Sequence, residues 1–402
     1  MVLSKDSGGA NQGSMPPTIF ISAGEASGEH YGALLIEELQ QQLAAYGETA
    51  GFFGMGGERM ADEGLECVVR SEDMAVMGLT EVVLHLPRIW REYRRLKQAI
   101  RQYPPNVAVL IDFPEIHFRL AKEFHRLGVP VIFFVSPQLW AWKKRRIKLV
   151  QKYIDRMLVI FPFEEPFYRE QGVEAEFVGH PLADQPAQSI SREQFAEENG
   201  LDPANTWVGL LPGSRPREIR DHLPTILRAA QELSHSLEFV IPLAPTLNDA
   251  QREDVLRLVQ KHGEGLQISL VNDARPTLFH ARASVVASGT ATVEAALIGN
   301  PFVVVYRVSP LTYLIAKQLV KVPHVAMANL IAGKRVVPEL IQRDFTAKNI
   351  VQEIERLLPD GPPRQSMMQE LARMRVLLGR PSQFGAIERV AAITLETIET
   401  AG

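Results

Sequence analysis

The chain has 402 residues, of which 46% are hydrophobic and 22% charged, with 43 Lys and Arg residues against 47 Asp and Glu residues. These values are typical of globular domains and exclude an intrinsically disordered or fibrous chain. The formal net charge of -4 also argues against binding nucleic acid through bulk charge.

The ends and the cysteine content predict a cytoplasmic protein. Cys67 is the single cysteine, which excludes an internal disulfide, and no apolar stretch follows the first Met. Both features are typical of a reducing compartment. Residues 1–17 predict a disordered leader. The longest uncharged apolar run, 128–142, is shorter than the roughly 20 residues that a membrane-spanning helix needs, so we expect no segment to cross a bilayer.

Strand and helix patterns alternate along the first half of the chain. The apolar run at 18–22 predicts a strand, and the pattern at 31–45 predicts a helix. Short runs rich in Val, Ile and Phe are typical of a parallel sheet covered by helices on both faces. Such runs predict further strands at 107–111, 131–135 and 157–161.

The second half repeats this alternation after a polar stretch at 184–191, which we interpret as a linker. Strands are predicted at 207–211, 238–242, 266–270, 283–287 and 301–306. The sequence therefore predicts an α/β protein with two doubly wound, Rossmann-like domains, 18–185 and 186–365.

A loop of small residues connects the first strand to the first helix, and it contains Gly24, Glu25, Ser27 and Gly28. Glycine lets a ligand approach the backbone closely. In an open α/β sheet, ligands bind at the carboxyl ends of strands, where helix amino termini favour anions. A simple tight turn is the alternative, and we favour the ligand site.

Asp112 follows the predicted strand 107–111. A carboxylate that emerges from apolar neighbours is partly desolvated, which raises its pKa and suits it to general-base catalysis. A helix-capping role fits the residue equally well. The residue pattern alone leaves both roles open.

Two similar loops follow the predicted strands 207–211 and 283–287 of the second domain. An arginine on a glycine-bearing loop suits a diphosphate, and the free N–H groups of a helix amino terminus suit the same anion. The second loop opens a predicted helix. Glu294 lies one turn into that helix, where it is placed to accept hydrogen bonds from ribose hydroxyls. Either loop alone is a common helix cap, but two in one domain predict a nucleotide site. Its residues are Gly213, Ser214, Arg215, Ser288, Gly289 and Thr290.

Other enzyme signatures fail. The segment 54–59 begins like a dinucleotide fingerprint but has Arg59 in place of the third glycine. The ten histidines contain no HExxH pair. We therefore expect no metal and no bound cofactor.

An apolar segment followed by arginines, 74–101, is typical of an amphipathic helix that lies on a membrane. A solvated charged face is the ordinary alternative. A second basic run at 143–148 lies near Trp140 and Trp142, so an anionic surface fits as a partner. The residues expected to contact it are Met74, Val76, Met77, Leu79, Arg88, Trp90, Arg91, Arg94 and Arg95.

Together these segments resemble the lipid-A-disaccharide synthase family. The matching motifs run in family order from residue 18 to about 342. They are GEASG (24–28), MG (77–78), IDFP (111–114), SPQLWAW (136–142), GHP (179–181), PGSR (212–215), SGTAT (288–292) and NLIAG (329–333).

The resemblance implies an inverting, metal-independent GT-B glycosyltransferase of lipid A biosynthesis. Its donor would be UDP-2,3-diacylglucosamine and its acceptor 2,3-diacylglucosamine 1-phosphate (lipid X), and its products lipid A disaccharide 1-phosphate and UDP. It implies a cytoplasmic protein, peripheral on the inner membrane, whose carboxyl-terminal helix, 366–402, crosses back onto the first domain. The resemblance does not decide the oligomeric state, and a homodimer is among the states that it allows.

The resemblance also implies roles for individual residues. Asp112 matches the general base, Arg215 the arginine at the diphosphate, and Asn329 an asparagine on the nucleotide side. Two alternatives remain. One is another UDP-sugar enzyme, such as a UDP-N-acetylglucosamine 2-epimerase, which would not need the apolar patch. The other is a regulatory module that binds a nucleotide sugar without turnover.

The chain departs from the family pattern at Glu29 and within residues 114–117. Glu29 stands where Asp is usual, and Glu115 and His117 replace the Asp and Asn of a more usual Pro-Asp-Phe-Asn. A longer acid and an imidazole are expected to reshape the floor of the acceptor cleft.

Overall fold

The computed structural model describes residues 16–74, 79–141, 144–185, 190–233, 236–309, 313–314, 323–379 and 384–401. Within these ranges strands and helices alternate and form two parallel sheets. The predicted two-domain, Rossmann-like α/β fold is confirmed.

The first sheet has seven parallel strands, and helices follow most of them. The strands are β1 (Thr18–Ala23), β2 (Gly51–Gly56), β3 (Leu65–Arg70), β4 (Val107–Ile111), β5 (Val131–Phe134), β6 (Arg156–Val159) and β7 (Ala175–Phe177). The helices are α1 (Ala26–Ala44), α2 (Glu58–Asp62), α3 (Ser71–Met74), α4 (Leu79–Gln102), α5 (Pro114–Leu127), α6 (Ile147–Tyr153) and α7 (Glu164–Glu170). The strand order is β3-β2-β1-β4-β5-β6-β7.

The second sheet has six parallel strands. They are β8 (Thr206–Leu211), β9 (Leu237–Pro242), β10 (Gln267–Val271), β11 (Ala283–Ala287), β12 (Phe302–Tyr306) and β13 (Glu339–Ile341), in the order β10-β9-β8-β11-β12-β13. The helices of this part are α8 (Arg192–Asn199), α9 (Pro216–Glu232), α10 (Asp249–His262), α11 (Ala274–His280), α12 (Thr290–Ile298), α13 (Met327–Ala332) and α14 (Ala347–Leu357).

Strand order decides where a ligand can bind. It reverses between β1 and β4 in the first sheet and between β8 and β11 in the second. In open α/β sheets the crevice outside the strand ends at such a reversal is the usual binding place. The loops singled out in the sequence follow these four strands. After β1, β8 and β11, small residues let the chain turn from strand into helix.

The carboxyl-terminal region forms two helices rather than the single one expected over 366–402. The first, α15 (Pro362–Leu378), packs on α12, α13 and α14, whereas the second, α16 (Ala386–Ala401), packs on α1 and β4. Helix α16 therefore returns to the first sheet. The proposed boundary at 185/186 adjoins residues 186–189, which lie outside the described ranges, and stays a prediction.

Strand β2 escaped sequence analysis because glycines weaken its apolar pattern. At Gly54, φ is +153° and a Cβ would lie 2.0 Å from the backbone oxygen of Ile21. The two strands approach so closely here that only glycine fits.

Candidate functional site

The loops at the carboxyl ends of the two sheets face each other across a cleft. The Arg215 guanidinium, after β8, lies 4.0 Å from the Glu25 carboxylate, after β1. The Tyr31 hydroxyl lies deeper. Burial raises its pKa, and the charges of Glu294 and Asp112 add to the shift, so the hydroxyl senses carboxylates of both sheets.

Asp112 begins the loop that follows β4, and its side chain is partly buried. Burial raises the pKa of its carboxyl to about 7, and the negative charges of Glu25 and Glu115 push it in the same direction. A hydrogen bond from the Phe113 backbone opposes this shift. A carboxyl with such a pKa is partly ionised near neutral pH and accepts a proton readily, which suits a general base.

The backbone at Asp112 is strained. Asp112 and Phe113 have φ values of +53° and +49°, in the left-handed region that favours glycine. Such conformations cost about 1–3 kcal/mol each and cluster at functional sites, where the surroundings hold them. Asp112 is therefore not the N-cap of α5, because Phe113 occupies that position and makes no capping hydrogen bond through its side chain.

The loop after β1 packs against this strained turn. A Cβ on Gly24 would lie 2.3 Å from the Phe113 ring, so glycine is required for the ring to rest there. Gly28 is buried close to the backbone oxygen of Ile111. Glu25 is exposed and Ser27 is partly buried at the start of α1. The two loops on either side of the strand reversal are thus in contact.

Arg215 precedes α9 on the loop that contains Gly213 and Ser214. Gly213 has a φ of +121°, and a Cβ there would meet the Glu218 side chain at 2.6 Å. Glu218 accepts a hydrogen bond of 3.4 Å from the Arg215 backbone and lies 3.7 Å from its guanidinium. Ser214 and Arg215 are both exposed.

The loop before α12 contains Ser288, Gly289 and Thr290. Gly289 has a φ of +155° with open space around a Cβ, and both Gly289 and Thr290 are exposed. The free N–H groups at the start of α12 therefore border the cleft. The structure brings this loop and the Arg215 loop to the two strands flanking the reversal of the second sheet, as the sequence predicted.

A hydrogen-bonded chain that sequence analysis missed joins the two sheets. Arg275 Nη1 donates to Gln185 Oε1 over 2.7 Å and lies 3.7 Å from Glu294 Oε1. Gln185 Nε2 lies 3.4 Å from His30 Nε2 on α1. Burial raises the Glu294 pKa, and Arg275 opposes the shift. The Glu294 carboxylate is thus paired with Arg275.

Asn329 occupies a different place from the one expected. Its side chain is fully buried, donates to the Val337 carbonyl and to Glu339, and accepts from the backbones of Val336 and Val337. An amide with all these partners fixes the segment after α13 and has no surface to offer a nucleotide.

Glu29, Glu115 and His117, which depart from the family pattern, lie in three different environments. Glu29 accepts a hydrogen bond of 3.2 Å from the Arg59 backbone, at the start of α2. Glu115 is exposed and bonds Arg146 at 3.0 Å. His117 is completely buried beneath Asp112 instead of lining the cleft floor.

Glu164 is a second buried acid, which sequence analysis missed. It accepts hydrogen bonds from Ser136 Oγ at 2.7 Å, Trp140 Nε1 at 3.1 Å and the Phe161 backbone at 3.2 Å. Burial raises its pKa to about 7 although these bonds oppose the shift. It holds the loop after β5. The sequence signal for this buried acid was its position between phenylalanines in the segment 161–167.

Part of the predicted membrane surface lies outside the described ranges. Val76 and Met77 lie outside the described ranges, and of Leu79 only its place in α4 is described. Met74 is 2% exposed and packs in the core, so the expectation that it contacts a membrane is wrong for this conformation. Trp90 is 46% exposed, which agrees with a surface position.

The arginines of α4 form an exposed basic face. Arg94 lies over the Trp90 ring at 5.3 Å. Arg91 and Arg95 share the carboxylate of the buried Glu92, and Arg88 pairs with Asp73. Since two arginines share one acid, the face keeps a net positive charge.

Within the described part of the chain, no helix is both long and apolar enough to span a membrane. In the same ranges, no group of three or more His, Cys, Asp or Glu residues could hold a metal ion.

Solved structures with the same fold have low sequence identity. UDP-N-acetylglucosamine 2-epimerase from Neisseria meningitidis, bound to UDP-N-acetylglucosamine, has a TM-score of 0.62 and 12% identity over 95% of this chain and 99% of that one. The calicheamicin glycosyltransferase has a TM-score of 0.60 and 16% identity over 97% and 100%. These likenesses support the fold alone.

Curated relatives are far more similar. Lipid-A-disaccharide synthase of Acidobacterium capsulatum is 58% identical over 395 residues, which cover 96% of this chain and 98% of that protein. The enzyme of Koribacter versatilis is 49% identical over 95% and 98%. The family model described as lipid-A-disaccharide synthetase matches residues 19–393. The chain therefore belongs to the lipid-A-disaccharide synthase family of glycosyltransferases.

Proposed function

We propose that the chain transfers 2,3-diacylglucosamine from UDP to the 6-hydroxyl of lipid X, with inversion at the anomeric carbon. The acceptor oxygen forms a bond to that carbon while the bond to the diphosphate oxygen breaks. The hydroxyl proton passes to Asp112, and the electron pair of the broken bond leaves with UDP.

The position and the pKa of Asp112 carry this proposal. A carboxyl with a pKa of about 7 stands at the end of β4, on the side of the cleft opposite the Arg215 loop. An acceptor bound to the first sheet would thus meet a donor bound to the second. Bringing two reactants into line in this way supplies a large part of the catalytic effect.

Arg215 and the two glycine loops suit the UDP leaving group. Arg215 is exposed at the cleft, and Gly289 and Thr290 present the amino terminus of α12 there. Positive charge and N–H groups stabilise the charge that develops on the diphosphate during bond breaking. Glu294 and Arg275 form the adjacent polar wall, which suits the ribose.

The acyl chains favour catalysis at a membrane surface. Each buried CH₂ contributes about 0.8 kcal/mol, so moving a diacylated sugar fully into water is very unfavourable. The basic face of α4, with Trp90 exposed beside Arg94, suits the anionic inner surface. We infer a peripheral protein that docks through this helix.

The test is incubation with both acylated substrates in mixed micelles, followed by mass spectrometry of the lipid product. Asp112→Asn removes the basic oxygen and keeps the shape. Turnover should fall by about 10²–10⁴-fold, while UDP affinity stays within a few-fold of wild type. The control is Asp62→Asn, an exposed acid on α2, which should retain turnover.

Two results would contradict the proposal. One is an Asp112→Asn variant that keeps turnover within a few-fold of wild type. The other is a wild-type chain that forms no disaccharide but inverts C2 of UDP-N-acetylglucosamine, which would favour an epimerase. UDP binding without any turnover would favour a regulatory module.

A further inference from the structure

His117 lies directly beneath the strained Asp112 turn and is completely buried. Its Nδ1 is hydrogen-bonded to the backbone carbonyl of Asp112, and its Nε2 is 2.8 Å from Ser22 Oγ. A carbonyl oxygen can only accept, so Nδ1 carries the proton. Burial lowers the pKa of His117 to about 4, so the neutral ring accepts from the Ser22 hydroxyl at Nε2.

This chain of hydrogen bonds connects the two strands at the reversal of the first sheet. Ser22 belongs to β1, and Asp112 follows β4. The ring of His117 also meets the Phe113 ring edge-on, at 5.8 Å between centroids. The Phe113 ring in turn rests on Gly24. The left-handed turn at Asp112 and Phe113 is thus held by the imidazole on one side and by the first loop on the other.

We propose that His117 is a positioning residue for Asp112, whose backbone carbonyl it holds so that the Asp112–Phe113 turn stays left-handed and the carboxylate stays aimed at the cleft. The proposal rests on the proposed function, because it concerns the aim of the general base. The alternative is a core histidine that contributes only stability.

Two substitutions separate these roles, because an amide can replace either ring nitrogen. His117→Asn places its amide near Nδ1 and can still donate to the Asp112 carbonyl. His117→Gln extends the amide toward Nε2 and leaves that carbonyl without a donor. Both remove the imidazole from the same buried position, so each serves as the matched control of the other.

The proposal predicts that kcat of His117→Gln falls by about 10²-fold, the loss typical of a small misplacement at a reacting centre. Its KM for the UDP-sugar and its affinity for UDP should stay within about two-fold of wild type, since the second sheet is untouched. His117→Asn should retain kcat within a few-fold. Wild-type kcat in His117→Gln, or equal losses in both variants that follow their melting temperatures, would overturn the proposal.

A measurement on the wild-type chain tests the inferred hydrogen bond directly, without relying on activity. Nitrogen-15 NMR of histidine-labelled protein should show a His117 ring that is protonated at Nδ1 and unchanged between pH 5.5 and 9. The loss of this signal in His117→Asn distinguishes it from His222, whose Nδ1 also faces a carbonyl oxygen. A His117 ring that carries its proton at Nε2 and none at Nδ1 could not donate to the Asp112 carbonyl and would overturn the proposal.

The same assays distinguish this proposal from the function on which it rests. If the wild-type chain forms no disaccharide, the proposed function fails. If the wild-type chain turns over and His117→Gln turns over equally well, only the positioning role fails.

Discussion

The Glu25 carboxylate lies 4.0 Å from the Arg215 guanidinium, so an acid of the first sheet faces the cation assigned to the diphosphate. Both side chains are about half exposed, at 49% and 50%. A diphosphate that approaches Arg215 therefore meets a carboxylate already in place.

Glu25→Gln should raise the affinity for UDP. Removing the competing carboxylate leaves Arg215 free for the diphosphate. Exposed ion pairs contribute about 0–1 kcal/mol, so the expected gain is at most about five-fold. Isothermal titration calorimetry with UDP measures it, and Glu37→Gln, an exposed acid on α1, is the control. A fall in affinity would mean that Glu25 helps to bind UDP.

The same variant should change the pH dependence of turnover. Asp112 accepts a proton only when ionised, so kcat/KM should rise with pH and reach half its maximum near the carboxyl's pKa of about 7. The charge of Glu25 raises that pKa. Removing the charge lowers it, so the acidic limb of the profile should move to lower pH. An unchanged profile would mean that the charge of Glu25 does not raise the pKa of Asp112.

Asp112→Asn should stabilise the fold at neutral pH while abolishing turnover. The folded pKa of about 7 lies above the ordinary value of about 3.9. The folded state therefore binds the proton more tightly, and the contribution to stability is lost as pH rises from about 4 to 7. The melting temperature of the variant should exceed that of wild type by a margin that widens over this range and then levels off. A margin independent of pH would refute the pKa shift.

Gly24→Ala should impair turnover through packing. The added Cβ would lie 2.3 Å from the Phe113 ring and would displace the Asp112 turn. We expect a loss of about 10²-fold in kcat and about 1–3 kcal/mol in the free energy of unfolding. Gly51→Ala is the control, because the nearest atom to its Cβ is 4.0 Å away. Equal activities of the two variants would exclude the contact as a functional one.

Arg94→Gln should weaken binding to vesicles that contain anionic lipid. A basic residue near such a surface contributes about 1 kcal/mol, so the partition coefficient should fall about five-fold at low salt, and less at high salt. Arg343→Gln removes the same charge from an exposed site in the second sheet's half of the chain and should have no effect. If both variants lower binding equally, net charge rather than α4 decides it.

Sequence patterns predicted what depends on local spacing. The strands at 107–111 and 283–287 have the expected bounds, since their apolar runs end sharply at turn residues. The loops before Arg215 and Thr290 were found because small residues at strand ends mark a place where a ligand approaches. The pKa of Asp112 followed the same logic, because an acid after a buried strand is desolvated.

Contacts between residues far apart in sequence were not predictable in this way. The Ser22–His117 bond spans 95 positions, and the Arg275–Gln185 bond spans 90. No periodicity reports such pairs. Asn329 was assigned to the nucleotide side from the family resemblance alone, and no residue pattern indicated that Val336, Val337 and Glu339 surround its amide.

The return of α16 to α1 has a consequence for the order in which the chain folds during synthesis. Residues 26–44 leave the ribosome early, whereas residues 386–401, which include the fully buried Val390 and Ile393, leave it much later. At about 5–20 residues per second, tens of seconds separate the two. During that time the residues of the second sheet are being synthesised. The apolar face of α1 and β4 that α16 later covers is still exposed. The nascent chain therefore offers chaperones a binding surface that the finished protein no longer has.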